Sequence, residues 1–195
     1  MTAQTQKQMP QLLRLAASAT PPVIPVLETD RLRLRALDVG DLEALTEMWA
    51  HPAHYRFIGN TPRTRSDLWQ QILRTAGSWA LLGYGYWAIE DRETGEFLGE
   101  AGFLEGQRAI EPSYAGTPEA GWSVVQSAWG KGIATEAMQA ALAWGAFHFP
   151  RGGSVCIIEP DHGASIRVAE KLGYEFDYQA RLGDAPINVY RRSAN

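Results

Sequence analysis

The stretch EAGWSVVQSAWGKGIATEAM, Glu119 to Met138, is where the arrangement of the chain is decided. Its first part, EAGWSVV, reads as a strand from Glu119 to Val125. Its second part places Gly130 and Gly132, with Lys131 between them, directly before a run of good helix formers. A helix is expected over 131–148, with Ala134, Met138, Ala141 and Leu142 on one face. A Ser or Asp cap would serve such a helix start, so the glycines ask for another reason. The first amides of a helix have no internal partner and sit at the positive end of its dipole. With no Cβ at Gly130 and Gly132 a phosphate can reach those amides, and Lys131 adds a cation. The spacing departs from other phosphate loops: G-x-x-x-x-G-K-[ST] is absent, and the residue three after Gly132 is Thr135. Taken alone, a G-x-G reads first as a plain tight turn.

Outward from this unit the same logic orders the rest. DRLRLRAL alternates as a half-buried strand. DVGDLEALTEMWAHP carries Leu42, Leu45 and Trp49 at helical spacing, with Asp38 as cap and Pro52 past the end. RSDLWQQILRTAGSWA is a second helix, expected to be capped by Ser66 and to bury Trp69, Ile72, Leu73 and Ala76. DRETGE is turn chemistry between two apolar runs, so a hairpin of strands 84–90 and 96–104 is expected. Downstream, SVCIIE is a strand, GASIRVAEKLG a helix stopped by Gly173, and YEFDYQAR and INVYRRS a closing pair of strands. Residues 1–26 read as a tail. Within it TPPVIPV is an extended linker, because proline fixes φ and removes amide donors, and QMPQLLRLAASA is either a short helix on the body or disordered. Residues 27–195 then form one domain.

Composition narrows the function classes. The 195 residues include 45% hydrophobics, enough for one sizeable core. Lys+Arg 18 against Asp+Glu 22 gives net charge -4, without the basic excess of a nucleic-acid binder. No apolar run approaches the ~20 residues of a membrane span, and no leader is visible, so a cytoplasmic protein is expected. The single cysteine, Cys156, permits no internal disulfide and reads as a small buried hydrophobe. His51 and His54 lack a Cys or acidic partner at ligand spacing, so no metal is expected.

Element order and motifs together resemble the GNAT superfamily of acyl-CoA-dependent N-acetyltransferases, in the branch that includes the ribosomal-protein N-terminal acetyltransferases. The resemblance runs from about Glu28 to Arg192. It rests on LETDRLRLRAL, EAGWSVVQSAWGKGIATEAM and IEPDHGASIRVAEKLGYEF in that order. It implies an α/β fold with a mixed, mostly antiparallel sheet of about seven strands, about four flanking helices, and central strands that splay apart. It also implies acetyl-CoA as co-substrate. The amides of Trp129, Gly130, Lys131, Gly132, Ile133 and Ala134 would hold its pyrophosphate. Trp122, Val124 and Val125 would lie along the pantetheine arm, in the gap between their strand and SVCIIE. His162 stands where the family usually has Asn and can make one such bond; it is equally a helix-cap residue. The family's Tyr acid falls on Ala169, so Ser165 is the nearest hydroxyl for the thiolate.

The chemistry implied is attack of a primary amine on the thioester, the amine coming from a protein N-terminus or a small molecule. A strand amide beside Val124 or Val125 would stabilise the oxyanion. A base is useful because alkyl amines are mostly protonated at pH 7. Glu119, where several members keep a carboxylate, is the expected base or substrate anchor, since a carboxylate facing the core unpaired would be costly. Glu100 and Glu105 are weaker candidates. Tyr55, Phe57, Tyr84 and Tyr86 are expected to line the acceptor pocket, while Trp49, Trp69 and Trp87 belong to the core. A non-catalytic acyl-CoA sensor on the same fold is the alternative, and the sequence leaves monomer and homodimer both open.

Overall fold

The computed structural model describes residues 23–57, 59–149 and 153–193. Its strands are β1 Leu27–Glu28, β2 Leu32–Ala36, β3 Tyr86–Asp91, β4 Phe97–Leu104, β5 Glu119–Val124, β6 Ser154–Ile158, β7 Glu175–Leu182 and β8 Ala185–Arg192. Its helices are α1 Leu42–Ala50, α2 Pro52–Tyr55, α3 Arg65–Leu82, α4 Ile133–His148 and α5 Gly163–Lys171. The strands form one sheet in the order β1-β2-β3-β4-β5-β6-β8-β7, antiparallel throughout except where β5 meets β6. The mixed, mostly antiparallel sheet agrees with expectation. The two-residue β1 and the single-turn α2 are the additions.

Each face of the sheet packs differently. On one face Trp87, Ile89, Ala101, Phe103 and Ala120 meet Ala137, Met138 and Ala141 of α4. There Trp79, Trp87 and Trp144 interlock edge to face at centroid distances of 4.8–5.5 Å. On the other face Ala88 meets Leu42, Leu45 and Trp49 of α1 and Leu68 and Ile72 of α3. Trp49 and Trp87 are core residues as expected, and Cys156 is buried in β6.

Two details of α3 correct the sequence reading. Its cap is Thr64, not Ser66: the Asp67 amide donates to Thr64 Oγ1, and the Asp67 carboxylate accepts from the Thr64 amide. Its buried face is Leu68, Gln71, Ile72, Thr75 and Trp79, leaving Trp69 and Leu73 exposed. Two of those five inward residues are polar, so a search for apolar periodicity sets the face out of phase.

Residues 1–22, including QMPQLLRLAASA, lie outside the described residues. Contact with the body begins before residue 27. Ile24 packs half-buried against the Trp87 core, and the Trp87 indole N–H donates to the Pro25 carbonyl at 2.8 Å.

The central feature is a gap. β5 and β6 pair only at Glu119↔Val155, where the Val155 amide donates to the Pro118 carbonyl at 3.0 Å. Beyond that point they separate. The Val125 amide turns toward β4, donating to the Leu98 carbonyl at 2.9 Å. Successive residues of a strand point their backbone groups to opposite sides, so Trp122 and Val124 turn theirs into the gap.

Candidate active site

The gap ends at the loop between β5 and α4. After β5 the chain makes a 3-10 turn over Gln126–Ala128 and reaches Gly130 and Gly132 with φ of 71° and 79°. Both lie in the left-handed region that glycine alone visits cheaply. A Cβ on Gly130 would meet nothing within 4 Å, and one on Gly132 only the Arg31 guanidinium at 3.7 Å. The space beside both α-carbons is therefore open, and no described backbone carbonyl accepts from the amides of residues 130–134. The first bond within α4 is Glu136 N–H to the Gly132 carbonyl at 2.9 Å, and Lys131 is exposed. The helix starts at Ile133, two residues later than expected, because the left-handed Gly132 is its N-cap.

Two sequence assignments shift here. The Trp129 amide is not free, because it closes the 3-10 turn on the Gln126 carbonyl at 3.1 Å. Trp129 instead sends its indole N–H to the Val124 carbonyl at 2.8 Å and sets its ring against His51 and His54. The Val125 amide faces β4 and so does not reach the gap. The amides of Trp122 and Val124 do. Sequence reasoning also missed Arg31, which donates to the Lys131 carbonyl at 3.1 Å and pairs with Glu136, 105 residues away. Nothing at that separation is visible in a local pattern.

His162 occupies the N-cap position of α5, but its side chain makes no cap bond. Its Nε2 lies 3.0 Å from Ser165 Oγ, and its ring stacks on Phe57 at 4.2 Å. Burial holds its pKa below the ordinary value, so the ring is neutral at pH 7, with one N–H donor and one acceptor. Ser165 is thus held by a side chain rather than by the backbone of its own helix.

The sheet face under α1 and α3 carries the other candidates in rows. Tyr86, Gly102 and Gly121 form one row; Ala88, Glu100 and Ser123 the next; Leu104 and Glu119 lie on the far side. Glu119 is neither a free carboxylate in a cleft nor an unpaired one in the core. It is 4% exposed, takes both arms of the Arg108 guanidinium at 2.7 Å and accepts the Tyr114 hydroxyl at 2.7 Å. That pairing pushes the Arg108 pKa up, and burial followed by the Glu119 bond does the same for Tyr114. Arg108 and Tyr114 come from the irregular segment before β5, which offered no periodicity to read.

Glu100 is 2% exposed and accepts from Gln71 Nε2 at 2.7 and 2.6 Å. Burial pushes its pKa up, only partly offset by the Gln71 bond. Arg63 donates to the Gln71 amide oxygen and lies 4.1 Å over the Trp49 ring, whose buried Nε1 has no partner among the described residues. Glu105 holds its own loop through the Gln107 and Gly116 amides. Of the pocket aromatics, Tyr86 lies on this face. Tyr84 instead meets Phe149 of the α4 core at 5.3 Å, and Tyr55 lines a separate hollow with His51 and Arg56. Among the described residues no group of three or more His, Cys, Asp or Glu side chains can hold a metal, and no helix is long and apolar enough to cross a membrane.

Known proteins share this fold. The acetyltransferase (GNAT) domain profile matches residues 31–175. YkkB of Bacillus subtilis (strain 168) is 34% identical over 175 residues, 86% of this chain and 95% of its own. An acetyltransferase from Agrobacterium tumefaciens str. C58 superposes with a TM-score of 0.75 at 30% identity, covering 87% of this chain and 94% of that one. The ribosomal L7/L12 α-N-protein acetyltransferase RimL, solved with coenzyme A, shares the fold with a TM-score of 0.69 at 19% identity, covering 87% of this chain and 98% of its own. A splayed pair of central strands leading to a glycine-bounded helix start, matched along most of its length by that family's profile, makes this chain a member of the GNAT acetyltransferase family.

Proposed function

We propose that the protein transfers an acetyl group from acetyl-CoA to a primary amine, on a peptide or a small molecule. The observation that carries this reading is the continuity of the β5–β6 gap with the open amides at the start of α4. Acetyl-CoA supplies the acetyl group as a thioester. The amides of Gly130, Lys131, Gly132, Ile133 and Ala134 meet its pyrophosphate, with Lys131 adding charge. The amides of Trp122 and Val124 and the carbonyl of Trp122 meet the pantetheine arm as a partial extra strand.

In the transfer a nitrogen–carbon bond forms, the carbon–sulfur bond breaks, and the amine proton passes to a carboxylate. Glu119 is poorly suited to take it, because both its oxygens are already engaged, by the two arms of the Arg108 guanidinium and by the Tyr114 hydroxyl. Its role is to fix β5 beside the gap. Glu100, buried and with its pKa pushed up, is the better proton acceptor. Ser165, oriented by neutral His162, offers its hydroxyl to the departing thiolate.

A thiol-release assay with acetyl-CoA across small amines and N-terminal peptides tests this reading, with coenzyme A binding followed by calorimetry. Thiol release is expected with at least one amine class, and Gly132→Glu is expected to abolish binding through bulk and charge. Binding without thiol release from any amine would leave an acyl-CoA-binding module instead.

A further inference from the structure

The face that holds Glu100 and Glu119 carries one polar group that the chemistry above does not use. In the row Tyr86–Gly102–Gly121 the two partners of Tyr86 have no side chains. The phenol ring therefore crosses β4 and reaches β5. A Cβ built on Gly121 would fall 1.9 Å from Tyr86 Oη and 3.0 Å from Cζ. Glycine at 121 is required by this approach, and glycine at 102 by the backbone of Gly85 and Tyr86, 2.3 Å and 2.7 Å from where its Cβ would stand.

The position reached is distinctive. On this face Gly121 is the first residue of β5 beyond the Glu119↔Val155 pair, so the hydroxyl stands at the apex of the gap. Glu100 lies one row to one side and Glu119 one row to the other. The Tyr114 hydroxyl is occupied by Glu119, whereas no described residue shares a hydrogen bond with Tyr86 Oη. Burial first, and then the two carboxylates, push its pKa up. It keeps its proton at every working pH and remains a neutral hydroxyl with acceptor lone pairs. Arg108 offsets the charge of Glu119, so Glu100 is the carboxylate that shapes this setting, and it favours an N–H-bearing group over a developing oxyanion.

We propose that Tyr86 is a catalytic residue whose hydroxyl receives the acceptor amine over Gly121, an inference that rests on the acetyl-transfer reading. The oxygen accepts a hydrogen bond from the amine N–H and leaves the nitrogen lone pair free to attack. The proton lost from nitrogen goes to Glu100, and Tyr86 keeps its own.

The test compares wild type with Tyr86→Phe, which keeps the ring and removes only a hydroxyl that bonds no described residue. Both proteins are titrated with coenzyme A and with a conjugate carrying an alkyl amide at the position of the transferred acetyl group. Coenzyme A affinity and melting temperature are expected to be equal in the two proteins. The gain of the conjugate over coenzyme A is expected to fall about tenfold in Tyr86→Phe, and kcat/KM for the amine to fall about 10–100-fold, in the range of one hydrogen bond used in the transition state. Equal gains in the two proteins overturn the proposal alone. Absence of coenzyme A binding to wild type overturns the transfer reading and the proposal with it.

Discussion

The two faces of the sheet are built on opposite plans. Beneath α4 the contacts are those of an ordinary interior: Trp87, Ala101 and Phe103 are fully buried among aromatic and aliphatic neighbours. On the opposite face, beneath α1 and α3 and on toward the segment before β5, three acids are buried, Asp41, Glu100 and Glu119, at 5%, 2% and 4% exposure. Each is matched by a partner: Arg35 to Asp41 at 2.8 and 2.6 Å, Gln71 to Glu100, and Arg108 with Tyr114 to Glu119. Burying such groups is tolerable only when they are paired, and apolar packing of equal volume is often as stable or more so. Stability alone gives no reason for three buried acids on one face of the sheet. The apolar face holds the domain together, and the polar face is where the chemistry is to be sought.

Breaking the apolar face should give the largest loss of stability. Phe103→Ala is expected to cost about 3–5 kcal/mol in denaturant unfolding, from lost transfer energy and the cavity left behind. A similar substitution effect on activity alone, without unfolding, would contradict the division. On the polar face Glu100→Gln should separate chemistry from folding. Its kcat is expected to fall about 10²–10⁴-fold with coenzyme A affinity retained. A base must be deprotonated to act. Since burial raises the Glu100 pKa, the rising limb of the wild-type pH–rate profile should lie above the range of an ordinary carboxylate and vanish in the variant.

Glu119→Gln sharpens the contrast within that face. It should lower stability by about 1–3 kcal/mol, because Arg108 keeps its charge without the matching carboxylate, and should change kcat less than Glu100→Gln does. A loss confined to turnover would return the base role to Glu119. The smallest effect concerns His54 and His162, both held below their ordinary pKa by burial. A histidine lowered in the folded state binds fewer protons there than in the unfolded chain. Stability should therefore decline as pH falls below about 6.5, and His54→Gln should flatten that decline in melting curves.

How much of this the sequence could reveal depends on how locally each requirement is written. The β5–loop–α4 unit was legible because a left-handed backbone demands glycine at fixed positions, and Gly130 and Gly132 supply it. The burial of Cys156 was legible from the apolar run around it, whereas Asp38 caps the 3-10 turn Val39–Asp41 that precedes α1 and not α1 itself, which has no side-chain cap bond. The face of α3 was not, since Gln71 points inward to a carboxylate on a strand 29 residues away. The state of Glu119 was not either. Alternation groups it with Gly121 and Ser123 on one face of β5 without saying whether that face is cleft or core, and Arg108 and Tyr114 reach it from a segment without regular pattern. The reach of Tyr86 across two glycines needed the registers of two strand pairs, and no single stretch carries both.

The splay of β5 from β6 leaves a mark that solvent can read. Along that strand the amides of Ser123 and Val125 turn toward β4, while those of Trp122 and Val124 face the gap. Exposed to deuterium, the strand should exchange in alternation, slow at the odd positions and fast at the even ones, a one-residue comb unlike the uniform protection of a fully paired strand. A molecule lying in the gap as a partial strand would slow the even positions and erase the comb. Spectra of the backbone, recorded with coenzyme A added, would then follow the filling of the sheet one amide at a time.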